Sequence, residues 1–131
     1  MKECDVLVID DEPVVRDGVR RVLEANGFRV ATADDAASGL AHPVLAGCRL
    51  VLCDLMLPDG SGIDVVREIT RRRPALPVVV ITGYATADHA ARAEAAGAAG
   101  FLAKPFEARE LMDCVRRALA AGRPAAGEER A

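Results

Sequence analysis

Aromatic side chains are almost missing from this chain of 131 residues: there is no Trp, one Tyr and three Phe. Its core must therefore be aliphatic. Lysine is as scarce, with Lys2 and Lys104 the two among 17 basic residues. A chain that otherwise uses Arg and yet keeps Lys at 104 hints that an ammonium is wanted there. Excess positive charge is absent too. The 20 acidic residues leave a net charge of −3, which argues against a general nucleic-acid or membrane-binding surface. The four cysteines (Cys4, Cys48, Cys53 and Cys114) form no C-x-x-C pair, and no His stands at ligand spacing, so zinc is not expected. Cys53, inside an apolar run, reads as a small buried hydrophobe. No apolar stretch approaches the roughly 18 residues of a membrane span. Met1-Lys2-Glu3-Cys4-Asp5 lacks the apolar core of a signal peptide. A reducing cytoplasm is the compartment these absences fit.

What is present is a series of short aliphatic runs separated by helical patterns. Hydrophobic residues make up 51% of the sequence, and a chain of this length buries roughly two-thirds of its unfolded surface, so one domain is expected. Residues 4–9 read as a first strand. Glu12 to Asn26 reads as a helix with Val15, Val19, Val22 and Leu23 on one face, stopped by Gly27. Phe28 to Thr32 is a second strand. A helix capped by Asp34 or Asp35 runs to about Ala46. Leu50 to Cys53 is a third strand, followed by the turn cluster Pro58-Asp59-Gly60-Ser61-Gly62. A helix from Gly62 to Arg72, a strand from Val78 to Ile81, an alanine-rich helix from Thr86 to Ala96, a strand from Gly100 to Ala103 and a helix from Glu107 to Ala121 complete the pattern. The fourth helix has few large apolar anchors and is expected to be loosely packed. His89 on it is expected to face solvent, and Arg71-Arg72-Arg73 to be surface charge at a helix end. Gly122 to Ala131 reads as a flexible tail or the start of an interdomain linker after a domain spanning residues 1–121.

Five βα units in succession imply an α/β fold: a parallel sheet with helices on both faces, a three-layer sandwich. The flavodoxin-like strand order 2-1-3-4-5 is expected, with its switch point between strands one and three. Parallel strands put their carboxyl ends on one edge, where open α/β sheets bind ligands. Asp10-Asp11, Asp54, Thr82 and Lys104 all follow strand ends directly, so these side chains should converge. Asp10 and Asp11 have a second reading, as acidic residues favoured at a helix N-terminus. Asp54 has no such reading, because its helix begins only near Gly62.

Carboxylates crowded at one edge repel each other, and a hard divalent cation such as Mg²⁺ is the usual remedy. A carboxylate can also attack phosphorus to give an acyl phosphate. The transferring group then needs its charge neutralised by a metal ion and a lysine. Lys104 and the hydroxyl of Thr82 suit that task. Pro105, after Lys104, is a candidate for a cis peptide that aims the lysine.

Four motifs carry a resemblance: Val8-Ile9-Asp10-Asp11-Glu12-Pro13, Cys53-Asp54-Leu55-Met56-Leu57-Pro58-Asp59-Gly60-Ser61-Gly62, Ile81-Thr82-Gly83-Tyr84-Ala85 and Ala99-Gly100-Phe101-Leu102-Ala103-Lys104-Pro105-Phe106. In this order and spacing they resemble the receiver domains of two-component response regulators, the CheY-like superfamily, from about Asp5 to Ala121. The resemblance implies a signalling switch that catalyses only its own phosphorylation and dephosphorylation. Asp54 would accept phosphate from a sensor histidine kinase or phosphotransfer protein. Asp11, Asp54 and the backbone carbonyl of Met56 would ligate Mg²⁺, with Asp10 binding largely through water. Lys104 would pair with the phosphoryl group, and Thr82 would move toward it. Phe101, at the family's aromatic switch position, would turn inward. Met56 and Tyr84 stand where the family tunes the phosphorylated lifetime. The output surface would be the fourth helix, fifth strand and last helix, meeting an output domain, a downstream protein or a second copy. Two rivals use the same residues. A degenerate receiver would act as a docking module without phosphorylation. A haloacid-dehalogenase-type phosphatase would want Asp-x-Asp after the first strand, which Asp10-Asp11-Glu12 lacks.

Overall fold

Valine, isoleucine and leucine at consecutive positions suit strands covered on both faces, because alternate side chains enter opposite apolar layers. A computed structural model, describing residues 4–121, shows five such strands in one sheet. They are β1 (Val6–Ile9), β2 (Val30–Ala33), β3 (Leu50–Asp54), β4 (Val78–Thr82) and β5 (Gly100–Ala103). All pair in parallel, in the order β2-β1-β3-β4-β5, which is the order expected. The helices are α1 (Pro13–Ala25), α2 (Ala36–Ala41), α3 (Gly62–Arg72), α4 (Ala87–Ala96) and α5 (Ala108–Ala121). Leu7, Ile9, Val51, Cys53, Val78 and Val80 pack with Val66 and Ile69 of α3 and Ala93 of α4. Val6, Val8, Leu50, Leu52, Val79 and Ile81 pack on the other face with Val19 and Leu23 of α1 and Leu111 and Val115 of α5.

The register aligns the carboxyl ends. Ile9 stands opposite Cys53, Asp54 opposite Ile81, and Thr82 opposite Ala103. Asp10, Asp54, Thr82 and Lys104 thus follow or end neighbouring strands.

Local departures from the sequence reading have identifiable causes. The second helix stops at Ala41, and Pro43–Ala46 forms a separate 3₁₀ turn. Proline lacks the N–H that would continue the helix and drives the residue before it out of helical space; His42 is accordingly extended. Between β3 and α3 the turn cluster is part of a small antiparallel ribbon, Met56–Leu57 against Gly60–Ser61. Asp59 in that ribbon accepts hydrogen bonds from the Ala36 and Ala37 N–H groups at 2.8 and 3.0 Å. It therefore caps α2 together with Asp35, which accepts from Ser38 N. Arg73 is not free surface charge: its guanidinium donates to the carbonyls of Leu45 and Cys48 at 2.9 and 2.8 Å. Helix α4 buries only Ala93, as its composition anticipated. The tail from Gly122 lies outside the described residues.

Gly62 begins α3 where a Cβ would overlap the backbone carbonyl of Asp54. Gly18, within α1, has nothing within 4 Å of its Cβ position. Gly62→Ala should therefore cost about 1–3 kcal/mol, as overpacking does. Gly18→Ala should gain roughly 0.5–1 kcal/mol from helix propensity. Denaturant midpoints of the two variants check both signs.

Candidate functional site

Each side chain at the carboxyl edge is fixed by the backbone that carries it. Asp10 leaves β1 with its N–H on the carbonyl of Ala33 at 3.0 Å and is fully buried. Its Oδ1 accepts from Glu12 N at 2.9 Å. Its buried Oδ2 accepts no well-aligned hydrogen bond, although the Lys104 ammonium lies 3.0 Å away. Asp54 ends β3, nearly buried. Its Oδ1 accepts from Met56 N at 3.3 Å and its Oδ2 from Lys104 Nζ at 3.1 Å. Lys104 is held by its own N–H on the carbonyl of Thr82 at 2.8 Å, and the Lys104–Pro105 peptide is cis, as the sequence suggested.

Lys104 also reaches Glu12, whose Oε1 is its nearest carboxylate partner at 2.7 Å. Asp10, Glu12 and Asp54 each offer an oxygen, and the three atoms lie within 4.8 Å of one another. The resemblance implies Asp11 beside Asp54 as a ligand. Asp11 is exposed and lies outside that trio, though it lines the adjoining cavity. In the sequence, Glu12 reads as the start of the first helix. A third acidic residue directly after the Asp pair was the available signal.

Burial, reinforced by the charge of Asp10, raises the Asp54 carboxyl above its ordinary range, against the pull of Lys104 and the Met56 N–H. For Lys104, partial burial opposes the charge, but Glu12, Asp10 and Asp54 outweigh it and hold the ammonium above the usual lysine range. Burial likewise pushes the Cys53 thiol far up, so it stays protonated and inert beside the site.

Thr82 is fully buried, and its Oγ1 accepts from Tyr84 N at 2.9 Å. The Tyr84 carbonyl in turn meets Thr86 N at 3.0 Å and His89 Nδ1 at 2.6 Å. His89 is therefore half-buried and engaged, not the solvent-facing residue expected. One peptide links Thr82 to the first turn of α4, whose cap is the Thr86 hydroxyl accepting from His89 N at 3.0 Å. Phe101 sits half-buried on β5, against the α3–α4 layer. Met56 and Tyr84, 53% and 60% exposed, line a cavity of about 940 Å³ with Glu12, Asp54 and Lys104. That cavity continues past Val15, Val22 and Phe106, between α1 and α5.

The family model of the response regulator receiver domain matches residues 6–116. The chain belongs to this family. The receiver is 37% identical over 117 residues to the C4-dicarboxylate transport transcriptional regulatory protein DctD of Pseudomonas aeruginosa, a match covering 89% of this chain and 25% of that protein. It is 36% identical to the acid tolerance regulatory protein ActR of Rhizobium meliloti, over 82% of this chain and 55% of that one. The receiver thus spans about a quarter and about half of these relatives. Among solved structures, the receiver domain of NtrX from Brucella abortus is 39% identical with a TM-score of 0.83, covering 88% of this chain and 98% of that one. A CheY-like receiver domain protein from Methanospirillum hungatei has a TM-score of 0.84 at 28% identity, covering 92% and 96%.

The raised Asp54 carboxyl makes a signed prediction. The folded state holds that proton at pH values where the unfolded chain has released it. Stability therefore falls as pH rises from the ordinary carboxylate range through the folded value, and the penalty persists above it. Asp54→Asn removes the penalty. The variant should be more stable than the native receiver at about pH 7, with an advantage that shrinks toward about pH 4. Urea unfolding of both proteins across that range measures it.

Proposed function

We propose that this receiver is a phosphorylation-operated switch with Asp54 as phosphoacceptor. The observation that carries the reading is the Lys104 ammonium 3.1 Å from Asp54 Oδ2 at the carboxyl edge of the sheet, with the open Oδ2 of Asp10 beside it. The donor is a phosphohistidine on a histidine kinase or phosphotransfer protein. An Asp54 oxygen attacks phosphorus, the P–N bond breaks, and the imidazole leaves with its electron pair and is reprotonated. Lys104 follows the new phosphoryl oxygens. Thr82 exchanges its contact with Tyr84 N for one to phosphate. Phe101 takes up the space that Thr82 leaves.

The donor set fits a hard cation, since every group is an oxygen. Asp54, Asp11 at the cavity wall and the Met56 carbonyl would hold Mg²⁺, with Asp10 behind them. The bound ion supplies charge neutralisation at the phosphoryl group. The receiver acts only on its own acyl phosphate.

The energy scale suits a switch. A shift from 1:99 to 99:1 needs about 5.5 kcal/mol of differential stabilisation. A phosphoryl group adds one to three charge-assisted hydrogen bonds, each worth roughly 1.5–3 kcal/mol. The lightly anchored α4 is the element such an input can move, so the α4-β5-α5 face is the output surface. It would meet an output domain, a downstream protein or a second copy of this chain. No helix among the described residues is long and apolar enough to cross a membrane, and we place the protein in the cytoplasm.

Incubation with acetyl phosphate and Mg²⁺ should add one phosphoryl group, read by intact mass. Asp54→Asn should add none. No gain in the native protein would favour a phosphorylation-independent docking module, and steady turnover of a phosphate ester would favour a phosphatase. Met56 and Tyr84 should hinder in-line water, so a Met56→Asn, Tyr84→Glu double variant should lose its phosphoryl group faster than the native receiver. Decay followed by phosphate-affinity electrophoresis measures this.

A further inference from the structure

We propose that Glu12 is a positioning residue for Lys104: it keeps the ammonium at the site when a divalent cation binds Asp54 and draws on the charge of Asp10. The inference rests on the proposed Mg²⁺ site and goes one step beyond it. Lys104 has three N–H donors, and three carboxylates surround it, with Glu12 at 2.7 Å, Asp10 at 3.0 Å and Asp54 at 3.1 Å. Asp10 Oδ2 is buried without an aligned donor, and Asp54 Oδ2 is already shared with Lys104. A dication held by Asp54 and drawing on Asp10 through water would compete with Lys104 for two of its three partners and place like charge beside it. With no third partner, the ammonium would be driven into solvent, away from the phosphoryl group it must meet.

Glu12 is built for the third role. It is exposed, so its charge carries little desolvation cost. Its backbone N–H is tied to Asp10 Oδ1 at 2.9 Å, which fixes its distance from the site. Its side chain makes no cap hydrogen bond at the start of α1, so the carboxylate is not spent on the helix. That also makes Glu12→Gln a mild change to the fold.

Lysine scarcity makes the test clean. With Lys2 and Lys104 the two lysines of the chain, ¹⁵N-lysine labelling yields two ammonium signals, and loss of one in Lys104→Met assigns it. Without Mg²⁺, the Lys104 ammonium should be protected from solvent exchange in the native protein and in Glu12→Gln. At saturating Mg²⁺ it should stay protected in the native protein. In Glu12→Gln it should exchange faster by at least about tenfold, the factor that a charge-assisted hydrogen bond carries. Loss of the native signal on adding Mg²⁺ would overturn the proposal, because it would mean that the ion draws Glu12 into its own shell. Equal protection in Glu12→Gln would overturn it as well. Backbone amide shifts at Asp54 and Met56 report Mg²⁺ binding independently. If they do not move, the metal reading itself fails and this inference falls with it; if they move while the lysine results go the wrong way, only the role of Glu12 fails.

Discussion

Two carboxylates buried at adjacent strand ends repel each other, and one ammonium holds them together. That is the constraint around which this receiver is arranged. Asp10 and Asp54 sit at neighbouring strand ends, out of water, where charge is costly unless paired. Lys104 offsets part of the cost, and the raised Asp54 carboxyl shows that it does not offset all of it. What remains is a standing demand for positive charge at one point. On the proposed function, a metal ion and then a phosphoryl group with its counter-charges would meet that demand.

The fold delivers this arrangement through backbone. Parallel pairing brings the strand ends to one edge, and the N–H of Lys104 on the Thr82 carbonyl ties the cation's strand to that of the hydroxyl. Gly62 admits the start of α3 against the backbone of Asp54. Asp59 pins the ribbon carrying Met56 to α2. On the opposite side of the edge, restraint is lighter. The peptide of Tyr84 joins Thr82 to His89 and α4, and α4 buries a single alanine. A densely tied half thus adjoins a lightly held half, the one that the proposed switch would move.

Most of the fold, and the meeting of Asp10, Asp54, Thr82 and Lys104 at one edge of the sheet, were legible in the chain. The aliphatic runs were unambiguous because both faces of the sheet are covered, and polar residues directly after them marked the functional edge. What sequence could not supply was contact between segments distant in the chain. Nothing local in Asp59 announces that it caps a helix some 23 positions earlier, or in Arg73 that it holds the carbonyls before β3. Pro43 was visible, yet the expected helix ran across it to about Ala46. Glu12 was hidden by a competing role, since an acidic residue at a helix start has an ordinary explanation. Asp11 is exposed and stands outside the trio of Asp10, Glu12 and Asp54, but it lines the same cavity.

On the proposed function, the acyl phosphate forms on Asp54. Borohydride reduction of the phosphorylated protein, followed by peptide mass mapping, tests it most directly, because an aspartyl phosphate is reduced to homoserine. Homoserine should appear in place of Asp54, with Asp10, Asp11 and Glu12 unreduced. Reduction at one of those residues, or at no carboxylate in a protein that has gained a phosphoryl group, would contradict it.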